Sequence, residues 1–370
     1  MAPKMTLLNV KIPGVEARAA NVLKQDMLSI GGDAAVARGT VACSVPETDV
    51  LLMGTEKQLQ RALEKFKKQP FGIKEIASHL ELLLSALRRN DFMLRCRKGE
   101  LALSERTHIM GILNVTPDSF SDGGDYIDPG KALERACRMV DEGADIIDVG
   151  GESTRPGAKV VPLDEELRRI IPVIERIAKN IKVPLSVDTC KAEVAKKAID
   201  AGADIINDIS GLHFDDKMAS VAAKAACPVV VMHIKGRPSD MQKNPEYKSL
   251  MGEVIVYLRD SMDIALDAGV DPESIIVDPG IGFGKSFEDN LSILRNLEEL
   301  KVLGRPVLVG ASRKSFVGHL LGEAKVEDRL EGSLAASMFS AANGAHILRV
   351  HDIKETKKAV TVTDAIAASG

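Results

Sequence analysis

From about His108 to the end of the chain, hydrophobic and polar positions repeat in one pattern. A short apolar run rich in β-branched residues ends at a polar residue, and a segment with helical spacing follows it. Continuous apolar strands that alternate with helices are typical of a parallel sheet covered by helices on its outer face. The runs are Ile109–Val115, Asp145–Val149, Val183–Val187, Asp204–Ile209, Val229–His233, Ile275–Asp278, Val307–Val309 and Ile347–His351.

The segments between these runs carry the marks of amphipathic helices. From Leu167 to Ile177, apolar residues recur at the spacing of one helix face. Glycines stand where helices should end, in Gly-Ala-Asp-Ile-Ile at 143–147 and 202–206 and in Gly-Ala-His-Ile-Leu at 344–348. Eight such units over residues 105–370 predict an α/β fold of the closed (β/α)8 TIM barrel type rather than an open doubly wound sheet.

Residues 1–88 follow a different pattern, which predicts a small α+β domain of unknown role. Residues 89–104 are expected to be a linker with a hairpin that turns at Lys98-Gly99 and covers the barrel floor. The predicted N-terminal elements are strands at Thr6–Ile12, Ala35–Cys43 and Asp49–Met53 and helices at Glu16–Ile30, Leu59–Phe66 and Ile73–Leu87.

Composition narrows the class of protein. Hydrophobic residues make up 45% of the 370 positions, which is enough for a full core, and the net charge is only −4. No basic field indicates a nucleic-acid partner, and no apolar run is long enough to predict a membrane span or a secretory signal. The five cysteines form no CxxC pair, which favours a reducing, cytoplasmic location. Cys190 is a weak candidate nucleophile, since nothing near it in sequence would lower its pKa.

A polar residue stands at or just beyond the carboxyl end of every predicted barrel strand. Any one of them could be only a helix cap or a turn residue. Eight strands that all end this way favour a polar ligand at the barrel mouth, where this fold places its active sites. The residues are Asn114, Asp148, Asp188, Asn207, His233, Asp278, Ser312, Arg349 and His351.

Three of these strand ends suggest particular ligands. Arg349 and His351 are two residues apart, so they face one side of the last strand and could bind phosphate; the alternative for Arg349 is a structural salt bridge. Asp278 opens the glycine-rich stretch Asp278–Lys285, and a carboxylate suits a flat amino-amidine edge such as that of a pterin or a guanine. Lys314 could contact a carbonyl or an anion, or could be an ordinary surface lysine.

Residues 105–370 resemble the dihydropteroate synthases, the folate-pathway enzymes that sulfonamides inhibit. Many spaced motifs occur in the order of that family, and residues 1–104 look like an extension found on some bacterial members. Two of the motifs are loops rich in Gly, Ser and Pro that could close over a site. The motifs are Asn114–Gly124, Asp148–Gly157, Ser186–Thr189, Ile206–Gly211, Met232-His233, Asp278–Lys285, Ser312–Ser315 and Arg349–His351.

The resemblance implies a pterin-binding barrel that joins 6-hydroxymethyl-7,8-dihydropterin diphosphate to 4-aminobenzoate and releases diphosphate. It implies Mg2+ as cofactor, a homodimer, and catalytic roles for Asn114, Asp148, Lys314, Arg349 and His351. By resemblance, Asp188, Asn207, Asp278 and Lys314 hold the pterin; Asn114, Arg349 and His351 face the diphosphate, with Asn114 reaching the metal; Thr154, Pro156, Phe283, Ser312 and Lys314 line the 4-aminobenzoate pocket; and Phe120, Asp148 and Arg155 order the two loops.

Two other functions remain open at this stage. A methyltetrahydrofolate-dependent methyltransferase would share the pterin contacts but would not need Arg349 and His351 for a diphosphate. A non-catalytic pterin-binding paralogue would be expected to have lost its loops or Lys314, and neither is lost. Leu212 stands where the family pattern has a second glycine, so the loop after the fourth strand is expected to be stiffer. An SN1-like mechanism is our hypothesis for the synthase, because diphosphate is a good leaving group once its charge is neutralised and the pterin can delocalise the resulting cation. A sequence without triad-like spacing suits this mechanism.

Overall fold

The computed structural model describes residues 7–115, 128–153, 157–158 and 160–369. The chain divides into two compact units, Met1–Arg89 and Asn90–Gly370. Within the described ranges, no helix is long and apolar enough to cross a membrane. Four residues predicted to lie in the active-site loops fall outside these ranges, namely Phe120, Thr154, Arg155 and Pro156.

The N-terminal unit is a three-stranded antiparallel sheet with three helices. The sheet has the order β1-β3-β2, and Thr48, Val50 and Leu52 alternate inward along its central strand. Side chains of the helices, including Leu23 and Phe66, complete a separate hydrophobic core. The elements are β1 (Leu7–Glu16), α1 (Ala17–Ser29), β2 (Asp33–Val36), β3 (Glu47–Thr55), α2 (Glu56–Phe66) and α3 (Ile73–Arg88).

The predicted strand Ala35–Cys43 is wrong beyond Val36. The chain turns there, because Gly39 has a φ of +95° and Cys43 a φ of +51°, which extended structure does not allow. The hydroxyl of Thr40 donates to the carbonyl oxygen of Ala37 and so favours a turn. The apolar composition of this stretch therefore misled the strand prediction.

The second unit contains the predicted (β/α)8 barrel. Eight parallel strands run in the order β11-β10-β9-β8-β7-β6-β13-β12, and a parallel bridge between Val277 and Val307 joins the two ends. The strands are β6 (His108–Asn114), β7 (Ile146–Gly150), β8 (Leu185–Asp188), β9 (Ile205–Asp208), β10 (Val229–Met232), β11 (Ile275–Asp278), β12 (Leu308–Val309) and β13 (Ile347–Val350).

Helices surround this sheet and bury one face each against it. The periodic segment of the sequence analysis forms α5, whose Ile170, Ile174 and Ile177 are fully buried. Each such burial stabilises the fold by about 1.5–3 kcal/mol. The helices are α4 (Pro129–Asp141), α5 (Leu163–Asn180), α6 (Ala192–Asp200), α7 (Met218–Ala225), α8 (Leu250–Asp267), α9 (Phe287–Arg295), α10 (Ser315–Leu320), α11 (Leu330–Ala342) and α12 (Ile353–Ala368).

A hairpin closes the amino-terminal end of the barrel. Its strands are β4 (Met93–Cys96) and β5 (Gly99–Ala102), and Phe92, Leu94 and Leu103 pack into the barrel floor. With one end filled by apolar side chains, the barrel interior is open to ligands only at the carboxyl ends of the strands. The floor consists of Met110, Ile146, Ile205, Val230, Ile276, Leu308 and Ile347.

Candidate active site

The barrel interior becomes polar toward the carboxyl ends of five strands, and along four of them it changes from apolar to polar within two residues. Side chains of a strand alternate between its two faces, so residue i+2 points the same way as residue i. On each of these strands, a polar residue follows two positions after another residue that points inward. Four of these preceding residues belong to the apolar floor. The five are Asp148 after Ile146, Asp188 after Ser186, Asn207 after Ile205, Asp278 after Ile276 and Arg349 after Ile347.

Arg349 connects four of the strands through two buried carboxylates. Its Nε donates to Asp148 Oδ2 at 2.7 Å, and its Nη2 donates to Asp188 Oδ2 at 2.6 Å. Asn207 Nδ2 also donates to Asp148 Oδ2, at 3.1 Å. Asp148 Oδ1 is buried and has no hydrogen-bond partner among the residues that the structure describes. A buried oxygen without a partner indicates a place for a ligand group, an ion or a water molecule.

The charged groups of this network are buried and shift one another's pKa values. Burial raises the pKa of Asp188 above its ordinary value although Arg349 opposes that shift. Burial alone would lower the pKa of Arg349. Asp148 and Asp188 together raise this pKa by more than burial lowers it, so the guanidinium remains charged. Three carboxylates, Asp148, Asp188 and Asp278, thus face the polar part of the barrel. Such an interior can accept hydrogen bonds from a planar donor edge and can stabilise positive charge.

Asp278 begins a tight turn that is fixed by the backbone of the neighbouring strand. Its Oδ1 accepts from Gly280 N at 2.7 Å, and burial raises its pKa to about 6. A Cβ at Gly280 would lie 2.0 Å from the carbonyl oxygen of His233, and one at Gly284 would lie 2.3 Å from that of Lys235. These glycines let the turn pack against the protein's own backbone beyond β10.

Lys314 lies over the aromatic ring of this turn. Its Nζ is 4.1 Å from the ring centroid of Phe283, and its side chain passes beside Gly282, where a Cβ would be 3.3 Å from Lys314 Cδ. Its charge is one of the influences that lower the pKa of Asp278. The structure thus brings Asp278, Phe283 and Lys314 together.

His351 and Ser312 form a pair at the ends of β13 and β12. Ser312 Oγ lies 3.1 Å from His351 Nδ1 and accepts from the backbone N–H of His351 at 3.3 Å. Burial, followed by Arg349 and Arg313, lowers the pKa of His351 to about 3. The imidazole is therefore neutral at neutral pH and can donate to a ligand through one ring nitrogen only.

Asn114 is the last residue of β6, opposite Gly150 of β7, and it is half-buried. Asn114 lies four residues beyond Met110 on the same strand, so both side chains point into the barrel, with Asn114 at the mouth. The described residues contain no group of three or more His, Cys, Asp or Glu side chains that could hold a metal ion by themselves. A metal held at this mouth by the described residues would need further ligand oxygens.

Sequence reasoning missed a buried ion network at the base of the loop after β7. Lys191 Nζ donates to Glu152 Oε2 at 2.6 Å and to Glu166 Oε2 at 2.5 Å, and Thr189 donates to Glu166 Oε1 at 2.8 Å. Arg169 holds the carbonyl oxygen of Gly151 at 2.8 Å. No local sequence motif predicts these contacts, because the partners lie on separate helices and loops.

Two further residues bear on the sequence analysis. Burial raises the pKa of the Cys190 thiol to about 12, so it has no thiolate to act as a nucleophile. Leu212 adopts a φ of +73°, the left-handed conformation that glycine favours, and its N–H donates to Asp208 Oδ2 at 3.0 Å. The position therefore keeps the glycine conformation although it holds leucine.

Comparisons with known proteins match the part of the chain that contains this site. The family model described as pterin binding enzyme matches residues 110–351. Dihydropteroate synthase of Bacillus subtilis is 49% identical over 75% of this chain and 95% of its own length. A probable bifunctional folylpolyglutamate synthase/dihydropteroate synthase of Haloferax volcanii is 42% identical over 94% of this chain but 42% of its own length. The solved structure of Xanthomonas albilineans dihydropteroate synthase with 4-aminobenzoic acid superposes with a TM-score of 0.70 at 46% identity, covering 75% of this chain and 99% of that one.

Proposed function

Because this chain belongs to the pterin binding enzymes, and among them to the dihydropteroate synthases, we propose that its barrel condenses 6-hydroxymethyl-7,8-dihydropterin diphosphate with 4-aminobenzoate. The products are 7,8-dihydropteroate and diphosphate. The observation that carries the proposal is the buried cluster of Asp148, Asp188, Asn207 and Arg349 beside Asp278, within the matched stretch. A pterin presents a planar edge of donors and acceptors, which this cluster can bind without water.

We assign the pterin to Asp188, Asn207, Asp278 and Lys314. The amino-amidine edge donates two parallel N–H groups, and Asp278 is the carboxylate that the glycine-rich turn fixes in place. Lys314 donates to a carbonyl oxygen or ring nitrogen from above Phe283. Charged donors and acceptors in a buried site recognise such an edge more strongly than they would in water.

We assign the diphosphate to Arg349, His351 and Asn114. The bonds to Asp148 and Asp188 use two of the five donors of the Arg349 guanidinium, so others can serve an anion. Neutral His351 contributes one N–H donor. Asn114 Oδ1 and the unpartnered Asp148 Oδ1 are oxygen ligands of the kind that Mg2+ prefers, and diphosphate oxygens would complete its shell. When bound, Mg2+ would neutralise charge on the departing diphosphate.

The mechanism that we propose is dissociative. The bond between the pterin methylene carbon and the diphosphate oxygen breaks, and its electron pair leaves with the diphosphate, which Arg349 and His351 hold. Asp148, Asp188 and Asp278 face the positive charge that develops on the pterin, and fixed charges aimed at a developing charge lower the barrier. The amine of 4-aminobenzoate then forms the new C–N bond and loses a proton.

The 4-aminobenzoate pocket is proposed to lie beside Phe283, Ser312 and Lys314. Phe283 and Ser312 are buried at the mouth, and Lys314 covers the Phe283 ring. Stacking or edge contact with Phe283 suits an aromatic substrate. Contributions of Thr154, Pro156, Phe120 and Arg155 remain predictions from the sequence.

We also propose that the protein is a homodimer through α11 and α12. The helix α11 buries Ser333, Ser337 and Ser340 and leaves Phe339 half-exposed, the reverse of an ordinary surface helix. On the adjacent helix, Val362 and Ile366 are also exposed. An apolar face of this kind fits a two-fold contact with the same face of a second copy.

Diphosphate release by the purified chain tests the proposed reaction. Mg2+, the pterin diphosphate and 4-aminobenzoate are supplied together and then omitted one at a time. Diphosphate release that requires both organic substrates and yields dihydropteroate is the expected result. Pterin binding without release would overturn the synthase assignment in favour of a non-catalytic paralogue, and methyl transfer from methyltetrahydrofolate would favour the methyltransferase.

A further inference from the structure

A lysine that the proposed mechanism does not use lies fully buried next to the pterin site. Lys285 ends the glycine-rich turn after β11, and only 2% of its surface is exposed. No carboxylate of the described residues lies within ion-pair distance of its ammonium group. Burying an unpaired lysine is costly, so its neighbours need to show what it does there.

Among the described residues, the Lys285 ammonium group donates to His233 and to the backbone of the turn after β11. Its Nζ lies 2.7 Å from His233 Nδ1 and 3.0 Å from the carbonyl oxygen of Phe283, with the carbonyl oxygen of His233 at 3.4 Å. His233 itself donates its backbone N–H to the carbonyl oxygen of Asp278 at 2.9 Å. The Lys285 ammonium therefore links His233, at the end of β10, to the carbonyl of Phe283 in the turn. The backbone of His233 in turn contacts Asp278, where the turn begins.

The protonation states of the pair agree with this geometry. Burial, and then Lys285, lower the pKa of His233 to about 2, so its imidazole is neutral and Nδ1 can accept from the ammonium. Burial lowers the pKa of Lys285 to about 7, while Asp278 raises it. Lys285 in turn is one of the charges that lower the pKa of Asp278, because electrostatic coupling is reciprocal.

We propose that Lys285 is a positioning residue of the pterin site: its ammonium ties His233 to Phe283, which holds the Phe283 ring under Lys314, and its charge supports the ionised Asp278. This inference rests on the proposed function, since it takes Asp278 and Lys314 as the pterin ligands. It goes beyond that function by assigning a role to a residue that touches no substrate.

Other charged groups face the same region and have to be separated from Lys285. Asp278 is also faced by Lys314 from the start of α10 and by Arg349 from β13. Lys285 is also faced by Lys314 and by Asp289 from α9, and His233 is faced by Lys235. Asp188 has a raised pKa as well. All of these residues are retained when only Lys285 is replaced, so differences between variants report on Lys285 and on the groups that it influences.

The test is the affinity for pteroic acid from pH 5.5 to 8.5, measured by calorimetry on the whole chain. In the wild type, affinity should fall below about pH 6 as Asp278 takes up a proton and above about pH 7 as Lys285 loses one. Lys285→Arg keeps its charge at high pH, so the alkaline decline should disappear. Lys285→Met should bind about tenfold more weakly or worse, with its acid decline moved to higher pH.

Lys243→Met, at an exposed lysine of the loop after β10, is the matched control and should bind like the wild type. Circular dichroism establishes that each variant is folded. If Lys285→Met is not folded, the affinity of Lys285→Arg for pteroic acid above pH 7 decides the test alone. A Lys285→Arg profile that coincides with the wild type, or a folded Lys285→Met that binds within twofold of it, would overturn the proposal. Wild type that binds pteroic acid but makes no dihydropteroate would refute the synthase function and leave the assignment of Lys285 standing.

Discussion

At the residue scale, Arg349 donates to two buried carboxylates and is also the proposed diphosphate ligand. Arg349→Ala should lower turnover at least about a hundredfold, because it removes the positive charge that stabilises the departing diphosphate. It should also reduce the free energy of unfolding by about 3–5 kcal/mol, because Asp148 and Asp188 remain buried without their partner. Steady-state assays and urea unfolding measure the two effects.

The stability cost of Arg349→Ala should depend on pH. Without the guanidinium, burial and the neighbouring Asp148 raise the pKa of Asp188 still further above its ordinary value. Protonation then relieves the repulsion, so the loss of stability should be larger at pH 8 than at pH 6. Arg295→Ala, at an exposed arginine of α9, controls for the loss of any arginine. An equal loss at both pH values would contradict the role of the buried carboxylates.

At the element scale, the glycine-rich turn is built by close approach to the segment beyond β10. Gly280 has a φ of +68°, and an added Cβ would collide with the carbonyl oxygen of His233. Gly269 has a φ of +91° but nothing within 4 Å of such a Cβ. Both Gly→Ala changes incur about 1–2 kcal/mol for the left-handed conformation. Gly280→Ala should lose about 1–3 kcal/mol more from crowding and should weaken pteroic acid binding.

Urea unfolding of the two alanine variants gives this comparison directly. Equal midpoints for Gly280→Ala and Gly269→Ala would show that the turn can move away from β10 without loss. The packing argument for the turn would then be wrong.

The elements that the sequence predicted well are those whose signal is local. Each barrel strand is a mainly apolar run with a polar residue in or soon after its last positions, and period-two geometry places Asp148, Asn207 and Asp278 inside the barrel. The Ala35–Cys43 strand failed because its turn depends on Gly39 and Thr40 rather than on apolar content. The contact of Arg349 with Asp148 could not be predicted, because β13 reaches the first barrel strands only when the barrel closes. The contact of Lys285 with His233 could not be predicted either, because it joins residues 52 positions apart, beyond the ends of two neighbouring strands.

At the scale of the whole molecule, the two units have separate hydrophobic cores. The alignment with the Bacillus subtilis relative covers 75% of this chain, which is close to the fraction that residues 90–370 make up. It covers 95% of that relative's own length. Residues 90–370 should therefore fold alone and keep kcat/KM within about threefold of the full chain, since a unit with its own core folds independently. Loss of turnover in this truncated chain, with its fold intact by circular dichroism, would show that the N-terminal unit takes part in the reaction.

The proposed dimer makes the last prediction at this scale. Phe339 is 50% exposed on α11, and Thr363 Oγ1 donates to Met338 Sδ at 3.1 Å, which places α12 directly beside it. Phe339→Asp puts a charge at the centre of an apolar contact, and in a two-fold interface it does so twice. Sedimentation should therefore show twice the chain mass for the wild type and a shift to monomer for Phe339→Asp. Leu82→Asp, at an exposed leucine of α3, should remain dimeric, and dissociation by both variants, or by neither, would place the contact elsewhere.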